Sequence, residues 1–119
     1  MHMLDWNTYR RQLLAAVGGF GKLNPDIIKG YTTLSRAGQK VGHLDEKTRE
    51  LVALAVAITL RCDGCITVHT AAARELGATR EEIAEVLGVA VSVNAGAAVV
   101  YSTRALDAFD AAVEINPNA

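Results

Sequence analysis

Leu51-Val52-Ala53-Leu54-Ala55-Val56-Ala57-Ile58-Thr59-Leu60 is the longest apolar stretch in the 119-residue chain, broken only by Thr59. Its valines and isoleucine suit a strand, but its length and flanks favour a helix. Asp45 and Glu46 suit a helix start, and Arg61 suits the negative end of the dipole. The stretch therefore predicts a helix that is apolar on every side, and such a helix belongs at the buried centre of a fold. At ten residues the run is about half of a membrane span, which takes about 20.

Helix signals continue in both directions. Asp5 caps a first helix through about Val17, with Gly18-Gly19 expected to end it. Asn24-Pro25 reads as a cap followed by proline at the first helical position, opening a second helix toward Gln39, and Gly42 closes that region. A fourth helix is expected from Asp63 to Leu76, stopped by Gly77, and Thr79-Arg80-Glu81-Glu82 is a capping box for a fifth. A break is expected at Asn94-Ala95-Gly96, followed by a sixth helix from Ala97 to Val113 and a frayed tail from Glu114 to Ala119. Aromatic residues are few (Trp 1, Tyr 3, Phe 2) and alanine is abundant, so the core must come from close-packed helices. The small residues between Gly88 and Val100 suit tight helix contact within or between subunits. The expectation is an all-α bundle of about six helices in a single domain, residues 1–119.

Composition narrows the function classes. With 50% hydrophobic and 21% charged residues the chain is an ordinary globular sequence rather than a disordered one. A chain of this size is expected to bury roughly two-thirds of its unfolded surface. Twelve Lys+Arg against thirteen Asp+Glu leave a formal charge of −1, so no basic field exists to hold nucleic acid or an anionic membrane. Two cysteines cannot staple a secreted disulfide framework. Asp5, Arg10 and Arg11 interrupt any signal-peptide pattern. A soluble cytoplasmic protein with reduced thiols is expected.

Both cysteines lie in Cys62-Asp63-Gly64-Cys65, and His69 follows. With Cys65 in the first turn of the fourth helix, His69 stands one turn later on the same face. That first turn offers free backbone N–H groups and the positive dipole end, which favour thiolate over thiol. The two thiols of such a turn are close enough for a small-loop disulfide. Other readings compete. Structural zinc needs about four ligands, and the remaining histidines are only His2 and His43. The cysteines could also serve as small core residues. A thioredoxin-type placement does not fit, because this motif follows a helix rather than a strand. Arg49, Arg74 and Arg80 read as surface or subunit-contact charges, and Tyr101 and Phe109 as core or interface.

Three segments together carry a resemblance. Gly42-His43-Leu44-Asp45-Glu46-Lys47-Thr48-Arg49-Glu50-Leu51, then Cys62-Asp63-Gly64-Cys65-Ile66-Thr67-Val68-His69, then Gly77-Ala78-Thr79-Arg80-Glu81-Glu82-Ile83, resemble the carboxymuconolactone decarboxylase superfamily over about residues 31–109. The nearest branch is the thiol one, similar to alkylhydroperoxidase D. The resemblance implies a helical homo-oligomer, trimer or hexamer, and a thiol peroxidase. Carried over by position, it makes Cys65 the peroxidatic cysteine, Cys62 the resolving cysteine, His69 the relay histidine and Glu50 the glutamate that orients it. It implies a hydroperoxide substrate and an external dithiol reductant, such as a lipoyl-type dithiol, and no cofactor or metal. Decarboxylating branches generally lack the cysteine pair, so that reaction is not expected. Alkylhydroperoxidase D has a histidine before the second cysteine, where this chain has Gly64, and Asp63 adds a negative charge beside the thiols.

Glu50 poses a geometric question. A tight fold-back near Cys62 sets His69 opposite about Ala55, and five residues of helix rise are about 7 Å. Glu50 reaches His69 only if the helices cross obliquely, a water bridges, or a neighbouring subunit supplies the glutamate. The alternative functions are a dithiol–disulfide oxidoreductase or redox sensor, and a non-enzymatic helical assembly whose cysteines pack or bind metal.

Overall fold

Five α-helices make up the described residues, 1–115, of the computed structural model: α1 Trp6–Leu23, α2 Pro25–Val41, α3 Glu46–Thr59, α4 Asp63–Glu75 and α5 Arg80–Ile115. No strand occurs among them. The part of the expected frayed tail at residues 116–119 lies outside the described residues.

Local chemistry sets most of the boundaries. The Asp45 carboxylate accepts from the Thr48 amide at 2.7 Å and starts α3. Asp5 does the same for α1 through Thr8 at 3.2 Å. At α5 the box is reciprocal: the Glu82 amide donates to the Thr79 hydroxyl at 3.1 Å, and the Thr79 amide donates to the Glu82 carboxylate at 3.0 Å. Gly42 and Gly77 end α2 and α4 in the left-handed region, with φ of 73° and 86°.

Two helices run further than expected. α1 passes through Gly18 and Gly19 and stops at Leu23. Neither glycine has positive φ. A glycine inside a helix costs about 1 kcal/mol relative to alanine, which weakens a helix without ending it. The stop comes from Pro25, which bars the preceding Asn24 from the helical region. Asn24 makes no side-chain cap bond. The break expected at Asn94-Ala95-Gly96 is also absent: α5 is one helix of 36 residues, so there are five helices rather than about six. The Asn94 amide donates to the Ala90 carbonyl at 2.7 Å and to the Thr59 hydroxyl at 3.0 Å, so its polar group is satisfied inside the helix.

Packing centres on α3, which lies against both α4 and α5, while α1 packs on α2 and α4. The buried residues are few, and all but Leu54 are small: Leu54 and Ala57 of α3, Thr67 and Ala73 of α4, and Ala90 of α5. The Thr67 hydroxyl donates to the Trp6 carbonyl at 3.3 Å and ties α4 to α1. Lys47 of α3 bonds Glu82 of α5 at 2.8 Å. Arg49, expected to be a surface or subunit-contact charge, donates to the Leu44 carbonyl, and its aliphatic stem lies against Gly38.

The expected burial of α3 is only partly realised. Val52 and Val56 are 52% exposed and Leu60 69%. From Val91 to Val113 every residue of α5 is exposed. The chain's accessible surface is 9617 Å², against about 6,200 Å² for a folded monomer of this mass. It therefore buries about half of its unfolded surface rather than two-thirds. The radius of gyration, 20.2 Å, likewise exceeds the roughly 13–14 Å of a compact domain of this length.

Candidate active site

The turn between α3 and α4 builds the site. Leu60 is the C-cap of α3 and Arg61 follows it with φ of 53°. The Cys62 amide donates to the Ala57 carbonyl at 3.1 Å, and the Arg61 amide to the Ile58 carbonyl at 3.1 Å. This is a Schellman turn with arginine at the position glycine usually takes. The left-handed conformation costs a residue with a Cβ about 1–2 kcal/mol. It reverses the chain at once, so Cys62 becomes the N-cap of α4 and its Sγ accepts from the Cys65 amide at 3.2 Å.

Cys62 and Cys65 form a disulfide with their Cα atoms 5.3 Å apart. Both residues are partly exposed. Cys65 is the third residue of α4, inside the turn whose amides have no helical partner. Asp63 is the first residue of α4 and not its cap, and it is exposed.

His69 stands one turn beyond Cys65 on α4. Its Nδ1 lies 2.7 Å from Glu50 Oε2 on α3, and the two side chains are 30% and 28% exposed. Of the three routes open to Glu50, the direct one within the chain holds. A carboxylate accepts, so Nδ1 carries the proton and donates it. In the neutral ring Nε2 then keeps a lone pair able to take a proton from a neighbour. The structure thus joins the four residues singled out by spacing and resemblance as two pairs, Cys62 with Cys65 and Glu50 with His69, with one turn of α4 between Cys65 and His69.

The structure adds two participants that motif reading did not find. One is the Arg61 backbone, since nothing in an arginine marks a left-handed residue. The other is Leu13 of α1. A Cβ built on Gly64 falls 2.8 Å from Leu13 Cδ2, so the glycine leaves room for α1 to cover the motif. Beside α4 an open cleft of about 1050 Å³ lies against α1 and the start of α5, with Trp6, Arg10, Arg74 and Arg80 on its walls. Tyr101 and Phe109 are 67% and 70% exposed, so neither is core within one chain. Among the described residues no group of three or more His, Cys, Asp or Glu side chains is placed to hold a metal ion.

Comparison with known proteins agrees with this architecture. Residues 25–108 match the family described as Carboxymuconolactone decarboxylase family. An uncharacterized protein of Haemophilus influenzae is 43% identical over 105 residues, spanning 88% of this chain and 93% of its own length. The apo crystal structure of a carboxymuconolactone decarboxylase family protein from Legionella pneumophila superposes with a TM-score of 0.71 at 37% identity, covering 88% of this chain and 94% of that one. A crystal structure from Methanobacterium thermoautotrophicum gives a TM-score of 0.66 at 29% identity, covering 71% and 96% respectively.

Proposed function

This chain belongs to the carboxymuconolactone decarboxylase family, and from that premise we propose that it is a thiol-dependent peroxidase that reduces hydroperoxides through the Cys62/Cys65 pair. The observation that carries the reading is a disulfide at the start of α4 with a Glu50-anchored imidazole one turn away.

The chemistry follows from those groups. His69, held by Glu50, takes the Cys65 proton directly or through a water. The thiolate attacks the terminal oxygen of the hydroperoxide. The O–O bond breaks, Cys65 becomes a sulfenic acid, and the alkoxide leaves as an alcohol after taking a proton from His69. The Cys62 thiol then condenses with the sulfenic acid, forming the disulfide and releasing water. An external dithiol reduces the pair by two exchange steps and is itself oxidised to a disulfide. The proposed working form is a homo-oligomer, trimer or hexamer.

A second reading, a dithiol–disulfide oxidoreductase or redox sensor with little peroxidase flux, is favoured by Gly64, where alkylhydroperoxidase D has a histidine. One experiment separates the two. The reduced protein is mixed with one equivalent of hydroperoxide, and thiols are counted by mass against time. Rapid loss of both thiols is expected, with Cys65→Ser abolishing turnover and His69→Ala slowing oxidation by about 10²-fold. Wild-type peroxide consumption by Cys65→Ser would overturn the assignment. Slow oxidation with facile dithiol exchange would establish the second reading.

A further inference from the structure

The open cleft of about 1050 Å³ against α1, α4 and the start of α5 gathers positive charge in a chain whose formal charge is −1. Arg10 of α1, Arg74 of α4 and Arg80 of α5 all line it, so each of the three helices contributes one guanidinium. Glu75 is the one acidic residue on the same walls among the described residues. None of the three arginines forms an ion pair with a described residue. Arg10 Nη2 donates to Asn7 Oδ1 at 3.1 Å, and that is the one side-chain hydrogen bond the three make among the described residues. A guanidinium carries five donors and stays charged in proteins, so most of this donor capacity is open to an added acceptor.

The rest of the wall is apolar. Ile66 and Ala71 of α4 and Ile83 of α5 line the cleft, and all three are half-buried. Trp6, also half-buried, joins them from α1. The cleft is separate from the thiols. On α4 the strip Ile66, Thr70 and Arg74 lies about 100° around the helix from the strip of Cys65 and His69.

We infer that this cleft binds an organic acid with an extended aliphatic body, a medium-chain carboxylate, with its head on the arginines and its chain along Ile66, Ala71 and Ile83. Arginine rather than lysine suits that head, because its planar fork matches a carboxylate with two parallel hydrogen bonds. The aliphatic wall suits the body, because small-molecule sites are mostly apolar with a few placed polar groups that fix orientation. The volume reaches the upper end of the range for such sites, about 300–1,000 Å³, far more than a lone inorganic ion fills. Glu75 opposes the head and so sets a limit on affinity.

The site stands apart from the proposed peroxidase chemistry, so it is tested on the disulfide form with no hydroperoxide or dithiol present. Octanoate is titrated by calorimetry, and Trp6 emission reports whether the ligand enters this cleft. Saturable binding is expected, with a matching change in emission. Arg74→Gln and Arg80→Gln are each expected to weaken it about tenfold, the loss of one charged hydrogen bond. Glu75→Gln is expected to tighten it by a few-fold, an effect that loss of folding does not imitate. Arg104→Gln, on the exposed part of α5 outside the cleft, should leave the affinity unchanged. Circular dichroism checks that each variant keeps its helices. Octanol, which lacks the charge, and inorganic phosphate, which lacks the chain, are each expected to bind at least about tenfold more weakly. Absence of saturable octanoate binding overturns the inference. So does an unchanged affinity in the well-folded Arg74→Gln, Arg80→Gln double variant. Octanol binding as tightly as octanoate overturns the role of the arginines, and phosphate binding as tightly overturns the organic body.

Discussion

Gly64 decides how closely α1 covers the thiols. A Cβ at this position would stand 2.8 Å from Leu13, which leaves no space for a side chain while Leu13 keeps its place. Gly64→His, which restores the alkylhydroperoxidase D residue, is therefore expected to displace Leu13 and cost about 1–3 kcal/mol. Adding Leu13→Ala should recover part of that loss. Urea midpoints of the two variants check it, and a fully stable Gly64→His would show that Leu13 yields freely. The same residues show what a sequence can disclose. Cys62, Cys65 and His69 lie within eight residues, so helical geometry alone relates them. The contacts of Glu50 with His69 and of Leu13 with Gly64 depend on how helices cross, and no local pattern encodes a crossing. The left-handed Arg61 left no trace because the usual marker of that conformation is glycine.

Helix ends follow the same division. The caps at Asp45 and Thr79 were legible because each is a bond between residues three apart. The glycines at 18, 19 and 96 misled because a glycine ends a helix only where the chain turns left-handed, and here it does not. The caps also make stability depend on pH. The Thr48 hydroxyl and amide hold the Asp45 carboxyl below its ordinary value, and Lys47, with the Thr79 amide, does so for Glu82. Glu82 in turn holds Lys47 above the usual lysine range. A lowered carboxyl contributes stability above its unfolded value and loses it as pH falls through the folded one. A raised lysine contributes below its unfolded value and loses it as pH rises through the folded one. The thermal midpoint is therefore expected to fall from about pH 5 toward pH 2 and again at the alkaline end. The Asp45→Ala, Glu82→Ala double variant should show a shallower acid arm in a calorimetric pH series.

For the molecule as a whole, the helical class and the central place of α3 were readable from one apolar run. Its open face was not, because a composition of 50% hydrophobic residues does not say which chain covers which surface. In the proposed homo-oligomer an excess of some 3,400 Å² would make assembly part of folding. The thermal midpoint is then expected to rise with protein concentration, each tenfold change shifting the association free energy by about 1.4 kcal/mol. Scans over a hundredfold dilution check this, and a constant midpoint would contradict it.

The sulfur that caps α4 is also one of the two that change oxidation state. Opening the disulfide frees Cys62 Sγ to move away from the Cys65 amide, and α4 reaches the N-terminal helix through Thr67 and the Trp6 carbonyl. Trp6 is the only tryptophan in the chain, so its emission is expected to serve as an intrinsic optical gauge of the redox state. Its indole emission should shift when a dithiol is added and return on reoxidation, and the Cys62→Ser, Cys65→Ser double variant should respond to neither.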